Sequence, residues 1–386
     1  MKQVQRLLIT LLLIATAAGC GRVVTTPQPV NGTLETINGF YVLHVWGSPA
    51  EMGRAHGTLL KTQIANLIQG YLINGLVKDF GIPWAMIVQF ARFYEAGMPE
   101  DFKAELHGIA EGAGIDYDEV LVGQLIVDLT ALAVASATIE SSSFLAKGGA
   151  TSGEVVIHGA NIEWADYNNA LRDNLVIIYY EPSEGNKLVS LSYAGGAGVL
   201  IGMNEKHIAT SVTAINAGAS FEGIAMTANL RRMLQYSNNL SEAADNLISI
   251  DRTCGYTVPV SCGNPEGIFV MELSPKHFMK REAGTLEVLV STNHFISEEM
   301  IPYQLITSDV NSTRRWETLS SLVMQNYGSI TDSPAKSFMC DRSEPHGDFI
   351  NSDYVIYSTV LLPGDLTFWV AKGPVSSEAA YVSFSL

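Results

Sequence analysis

Three consecutive serines, Ser141, Ser142 and Ser143, stand where a helical pattern gives way to short strands, and the next strand ends in His158-Gly-Ala-Asn-Ile-Glu-Trp164. A small hydroxyl residue opening a strand, with a polar cluster at the end of the following one, is the layout of an internal N-terminal nucleophile. Amide-bond chemistry needs a nucleophile, a base and a donor for the developing oxyanion. A residue that begins a chain supplies the first two itself, because its α-amine, with a pKa of roughly 7.7 to 8.0, sits beside its own side chain. Such a residue must be released by a cut in front of it, which places the scissile bond at Glu140-Ser141. Ser142 and Ser143 compete one and two positions on. Taken alone, three serines read more simply as a polar turn entering a strand.

These side chains need a frame. Gly39 to Val45 reads as a strand, and Ser48-Pro-Ala-Glu51 forms a capping box with proline at the first helical position. A helix is expected from Pro49 to about Leu76, with Met52, Ala55, Leu59, Leu60, Ile64, Leu67 and Tyr71 on its apolar side. Pro99 starts another through Leu106 and Ile109, Gly112-Ala-Gly114 stops it, and Asp116-Tyr-Asp-Glu119 caps a third. After residue 140 strands are expected at Ser143 to Ala146, Glu154 to His158, Leu175 to Tyr180, Leu188 to Tyr193 and Ile208 to Thr213. Helices follow near Asn229 to Tyr236 and Glu242 to Ile250, the second capped by Ser241. Strands resume at Gly267 to Leu273, Glu287 to Ser291, Val355 to Leu361, Leu366 to Val370 and Ala380 to Phe384. Strands in runs with helices grouped between them indicate an α+β fold, layered αββα, with a helical N-terminal segment.

The chain has 386 residues, 47% of them hydrophobic, enough for a sizeable core. Lys and Arg total 23 against 39 Asp and Glu, a formal charge of -16 with no basic stripe, so nucleic acid is not expected as a partner. Lys2 and Arg6, the apolar run Leu7 to Ala15, and Ala17-Ala-Gly-Cys20 read as a signal peptide over residues 1–19 ending in a lipobox. Cys20 is then lipidated and residues 20–38 form the lipidated N-terminus and a loose tether, which places the protein in the bacterial cell envelope on a membrane surface. An ordinary secretory signal cut at a similar place is the plainer alternative. Of the remaining cysteines, Cys254 and Cys262 could bridge two neighbouring strands, leaving Cys340 over. No HExxH, GxSxG, CxxC or phosphate-binding glycine loop is present, and no cofactor or metal is expected.

The order Glu51-Met-Gly-Arg-Ala-His-Gly57, Glu105-Leu-His-Gly-Ile-Ala-Glu-Gly-Ala-Gly114, Ser141-Ser-Ser-Phe144 and Gly159-Ala-Asn-Ile-Glu-Trp164 resembles the isopenicillin-N and acyl-CoA:6-aminopenicillanic acid acyltransferase family, related to the choloylglycine hydrolases. Gly202-Met-Asn-Glu-Lys206, Thr292-Asn-His-Phe295, Ser312-Thr-Arg-Arg315 and Trp369-Val-Ala-Lys-Gly-Pro374 agree with it. The resemblance implies a four-layer αββα N-terminal-nucleophile fold in a precursor cut before its nucleophile. Residues 39–140 become a helical small chain and residues 141–386 the catalytic region, folded as one unit.

The same resemblance assigns roles. Ser141 stands where the family has cysteine. Its hydroxyl must lose a proton to a base during attack, whereas a thiol near pKa 8.5 ionises readily. Glu163 occupies the place of an aspartate that holds the α-amine, and Thr213 falls near an oxyanion-hole asparagine, with Asn216 or Asn161 as compensating donors. Arg314 takes the place of an arginine supporting the nucleophile, Arg315 being its neighbour; without the resemblance Arg314 reads as a surface helix charge. Trp164 is a substrate contact or a packed core aromatic. His158 and His294 read as structural, since neither is tied to an acid by spacing. The resulting expectation is an exported, lipid-anchored amidase or acyltransferase acting on a small acyl amide or acyl ester through an ester on Ser141. A non-catalytic binding lipoprotein and a phospholipase-B-like lipid ester hydrolase are the alternatives.

Overall fold

The computed structural model describes residues 30–78, 81–132, 141–306 and 310–386. The signal segment, Cys20 and Glu140 of the expected cut lie outside the described residues.

The first element is one the sequence reading took for loose tether. β1 (Gly32–Ile37) pairs antiparallel with β2 (Phe40–Gly47) through Asn38-Gly39, both at positive φ. Asn-Gly is the residue pair that a two-residue hairpin turn favours, and it joins the two strands here. Residues 32–37 are therefore strand and not tether.

β2 feeds α1 (Pro49–Leu59), whose Glu51 reaches back to accept the Ser48 N–H at 2.8 Å. The expected single helix is instead three consecutive pieces: α1, α2 (Lys61–Leu67) and a π-helix (Ile68–Val77), with Leu60 non-helical between the first two. α3 (Trp84–Glu95), which the sequence reading missed, precedes α4 (Glu100–Ala113), closed by Gly114 at φ 66° as expected. α5 (Tyr117–Gln124) starts at Asp116, whose Oδ1 accepts the Asp118 N–H, and α6 (Ile126–Leu132) follows.

The Glu51–Gly57 and Glu105–Gly114 motifs turn out to be a helix crossing. A Cβ on Gly53 would stand 2.0 Å from the Glu105 carbonyl oxygen and one on Gly57 2.1 Å from that of Ile109; Gly108 and Gly112 answer from α4 at 2.5 and 2.3 Å from the carbonyls of Ala50 and Arg54. Only hydrogen fits at these four points, so the two backbones touch. Arg54 closes the rim on Glu111 at 2.9 Å.

Residues 141–386 build most of two sheets. The larger runs β1, β2, β5 (Leu175–Pro182), β6 (Leu188–Tyr193), β7 (Ile201–Asn204), β8 (Ile208–Ser211), β10 (Cys254–Gly263), β11 (Glu266–Leu273), β12 (Phe278–Glu282), with β9 (Thr213–Ala219) also on β10. β2 and β5 are parallel, from Tyr41 opposite Val176 to Gly47 opposite Pro182. The smaller sheet runs β13 (Val288–Ser291), β3 (Ser141–Ala146), β4 (Ile157–Glu163), β14 (Val355–Leu362), β15 (Thr367–Lys372), β16 (Val382–Ser385).

β3 and β13 face β9, β10 and β11 across the sandwich. α7 (Met226–Tyr236) and α8 (Leu240–Ile248) cover the large sheet, and α9 (Val310–Gln325) and α10 (Asp332–Met339) cover the small one. This is the four-layer αββα order expected. Two local readings change. Asn239, not Ser241, caps α8, its Oδ1 accepting the Glu242 N–H at 2.9 Å. Cys254 and Cys262 occupy opposite ends of β10, roughly 26 Å apart at ~3.3 Å per residue, too far for a disulfide, and both are free like Cys340.

Candidate active site

Ser141 is the first residue of β3 and is buried. Its backbone is clamped by side chains from two other elements. The Ser141 N–H donates to Asn293 Oδ1 at 2.8 Å, and its carbonyl accepts from Arg315 Nη1 at 2.8 Å. Arg315 also donates to Ser142 Oγ at 2.9 Å, to Asn293 Oδ1 at 3.0 Å and to Asn311 Oδ1 at 2.7 Å. Asn293 in turn donates through Nδ2 to the Ala214 carbonyl of β9 at 2.8 Å, which ties the clamp to the other sheet.

The arginine at the site is thus Arg315, not Arg314. Successive residues of a helix point about 100° apart, so only one of the two faces the sheet. Ser312, Arg315, Leu319 and Val323 form the buried stripe of α9, whereas Arg314 is partly exposed and pairs with Asp348 at 2.8 Å. That stripe was the available sequence signal. Asn293 lies inside the Thr292–Phe295 motif, but nothing local in the sequence says that its amide reaches residue 141.

Glu163 ends β4, fully buried, opposite Val355 at a bulge in β14. Ser141 pairs with Ile162 and Ser142 with Asn161. Strand alternation therefore puts Glu163 on the face of Ser142 and Asn161, the side toward α9 and α10 where Arg315 enters, one register step beyond Ser141. Asn161 is not a donor to a substrate: its Nδ2 serves the carbonyls of Met339 and Ile350 at 2.9 and 2.8 Å, anchoring the end of α10.

Thr213 sits in the seam between the sheets, its Oγ1 donating to the Thr292 carbonyl at 3.1 Å within a hydroxyl cluster that includes Thr257 and Ser291. Its hydroxyl is committed there. Asn216 lies three residues on in β9; its carbonyl accepts the Leu305 N–H at 2.8 Å, and its half-buried amide has no hydrogen bond among the described residues. Deeper in the seam, Ser143, Ser211 and Ser261 surround His158, with Nε2 2.9 Å from Ser211 Oγ and Nδ1 3.1 Å from Ser261 Oγ. Burial pushes this imidazole down to about 3, so it is neutral and joins the sheets. His294 Nδ1 stands 2.7 Å from Ser312 Oγ, linking the end of β13 to α9.

One residue past Glu163, buried Trp164 packs edge-on against Tyr193 of the large sheet, ring centroids 6.3 Å apart. Trp164 also lines an apolar cavity shared with Ile68 and Tyr71 of the π-helix, Val120 of α5 and Gly195. Trp164 lies just past the end of β4, two residues on from Ile162, which pairs with Ser141. Among the described residues no group of three or more His, Cys, Asp or Glu could hold a metal, and no helix is long and apolar enough to cross a membrane.

Two facing sheets between helix layers, with a buried serine opening a strand of the smaller sheet, form the four-layer arrangement expected of an N-terminal-nucleophile fold. The model of the acyl-coenzyme A:6-aminopenicillanic acid acyl-transferase family matches residues 160–347. An uncharacterised protein of Archaeoglobus fulgidus is 27% identical over 92% of this chain, which spans 66% of that relative's length. The acyl-coenzyme A:6-aminopenicillanic-acid-acyltransferase 40 kDa form of Emericella nidulans is 26% identical over 66% of this chain and 69% of its own. Among solved structures, a Caenorhabditis elegans N-acylethanolamine-hydrolyzing acid amidase ortholog is similar at 16% identity and a TM-score of 0.43, covering 64% of this chain and 99% of that one.

Proposed function

We propose that the protein is an exported amidase or acyltransferase that cuts itself at Glu140-Ser141 and carries acyl groups on Ser141. The observation that carries this reading is the clamp on residue 141: an amide oxygen at its nitrogen and a guanidinium at its carbonyl, both fixed by burial. After a cut the same amide oxygen accepts from the new α-amine, which takes the Ser141 hydroxyl proton during attack. Oγ then bonds to the substrate carbonyl carbon, the C–N bond breaks, the amine leaves with the proton, and water or an acceptor amine later releases the acyl group. Glu163 supports the charged amine and Arg315 holds the strand end. Asn216 suits the oxyanion better than Thr213, whose hydroxyl is already engaged. The acyl group lodges in the cavity beside Trp164, and Cys20 holds the enzyme at a membrane.

The committed Thr213 hydroxyl favours a second reading, a lipoprotein that keeps the fold for binding. The two separate on intact mass and N-terminal sequencing of protein made without the signal segment. Self-processing yields two chains with Ser141 leading the second, none from Ser141→Ala, and processing by Ser141→Cys at least as fast. A single uncut chain under every folding condition overturns the reading.

A further inference from the structure

One wall of the cavity beside Trp164 is tied to residues far away along the chain. Tyr193, Ala194 and Gly195 line it and continue into the turn ending at Gly198. Within the turn Gly196 N–H donates to the Tyr193 carbonyl at 2.9 Å and Ser192 Oγ to the Gly196 carbonyl at 3.1 Å, while three other N–H groups are met by side chains from the segment before Ser141. Gly195 N–H donates to His56 Nε2 of α1 at 2.9 Å. Ala197 and Gly198 N–H both donate to Gln124 Oε1 at the end of α5, at 2.8 and 3.3 Å, while Gln124 Nε2 donates to Thr227 Oγ1 at 2.7 Å. Tyr193 OH donates to the Gly123 carbonyl at 2.9 Å. The Ala197 carbonyl accepts from Arg231 at 3.0 Å, and Arg231 pairs with Glu105 of α4 at 3.2 Å.

His56 and Gln124 are fully buried. Because His56 Nε2 accepts, its proton is on Nδ1, and burial with the nearby Arg231 charge keeps the ring neutral, as an acceptor must be. Neither side chain lines the cavity, yet both fix the backbone that does.

We propose that His56 and Gln124 are positioning residues that hold the Tyr193–Gly198 turn as one wall of the cavity and so set the length of apolar acyl chain it accepts. Specificity for the chain bound on the Ser141 side then resides in the segment that a cut at Glu140-Ser141 would turn into a separate polypeptide. This rests on the amidase or acyltransferase reading and adds to it which side chains choose the acyl group.

The test uses the full chain and a series of N-acyl p-nitroanilides from butyryl to dodecanoyl. His56→Ala and Gln124→Ala each remove one anchor of the turn. The expected result is a KM raised about tenfold for the longest chains, the size of one lost buried hydrogen bond, with kcat within about twofold and the butyryl constants unchanged. His56→Gln and Gln124→Glu, which keep an acceptor oxygen at the turn, restore the parent KM. A uniform loss across all chain lengths, or no change in KM, overturns the proposal. If one alanine variant does not fold, the other and the two acceptor-keeping variants decide.

Should the parent hydrolyse no anilide, the enzymatic reading fails on its own. The positioning claim is then read from binding of a fluorescent twelve-carbon fatty acid to Ser141→Ala protein. Weakening by about fivefold or more in His56→Ala supports it, and equal binding overturns it.

Discussion

In the α1 and α4 pair two backbones meet with nothing between them; at the start of β3 one backbone is met by two long polar side chains. The first contact is fixed by shape, with carbonyl oxygens standing where a Cβ would go. The second is fixed by directed hydrogen bonds, one accepted by Asn293 and one donated by Arg315. A shape contact has no tolerance for one added methyl and is indifferent to charge, whereas a polar clamp tolerates volume and depends on donors. The difference teaches that the glycines of the two motifs within residues 39–140 serve packing, whereas the polar clamp lies wholly within residues 141–386.

The comparison breaks most readily at Gly57. Valine there must displace the backbone of Ile109 and Ala113, which cannot swing aside, at a cost of more than ~4 kcal/mol. A Gly57→Val protein melting within a few degrees of the parent would refute the shape contact.

Next comes Arg315→Met, which deprives the Ser141 carbonyl, Ser142 and Asn293 of a shared donor at a cost of roughly 2–4 kcal/mol, with loss of any processing at residue 141. Denaturant unfolding and intact mass measure both. Retained processing would show that the clamp is dispensable.

Acid probes both regions together. Burial holds His56 in the helical half and His158 in the seam at about 3. These folded values lie below the ordinary ~6.5, so the unfolded chain binds more protons between the two. The stability each contributes is complete above ~6.5 and is lost as pH falls toward 3, by up to about 1.4 kcal/mol per pH unit. Denaturant unfolding at pH 7, 5.5 and 4 measures the slope, and His158→Gln should lower it; an unaltered slope would mean that His158 takes no part. Smallest is Arg314→Ala, where a partly exposed pair with Asp348 contributes under ~1 kcal/mol. A larger loss would return Arg314 to the site.

What the sequence carried plainly was local. The Ser48–Glu51 capping box, the Gly114 stop, the Asp116 cap and the strand from Leu188 to Tyr193 all form where composition and period place them. The layered α+β order followed from grouped strands. Other features depended on contacts between distant residues. Arg314 and Arg315 differ only in which helix face meets β3. Asn161 looked like a free amide until the carbonyls of Met339 and Ile350 arrived beside it. Asn293 gained its place from a partner 152 residues away. The Asn38-Gly39 turn, by contrast, is readable from the residue pair alone.

The distance along the chain between Ser141 and its clamp also sets a clock. Arg315 follows the residue it holds by 174 positions, so no ribosome-bound chain can complete the clamp until α9 has been made. At ~5–20 residues per second that delay is roughly 10–35 s of translation. Chemistry that needs this strand end held in place must therefore begin after synthesis of nearly the whole chain, which would keep a nascent polypeptide from severing itself before the small sheet exists.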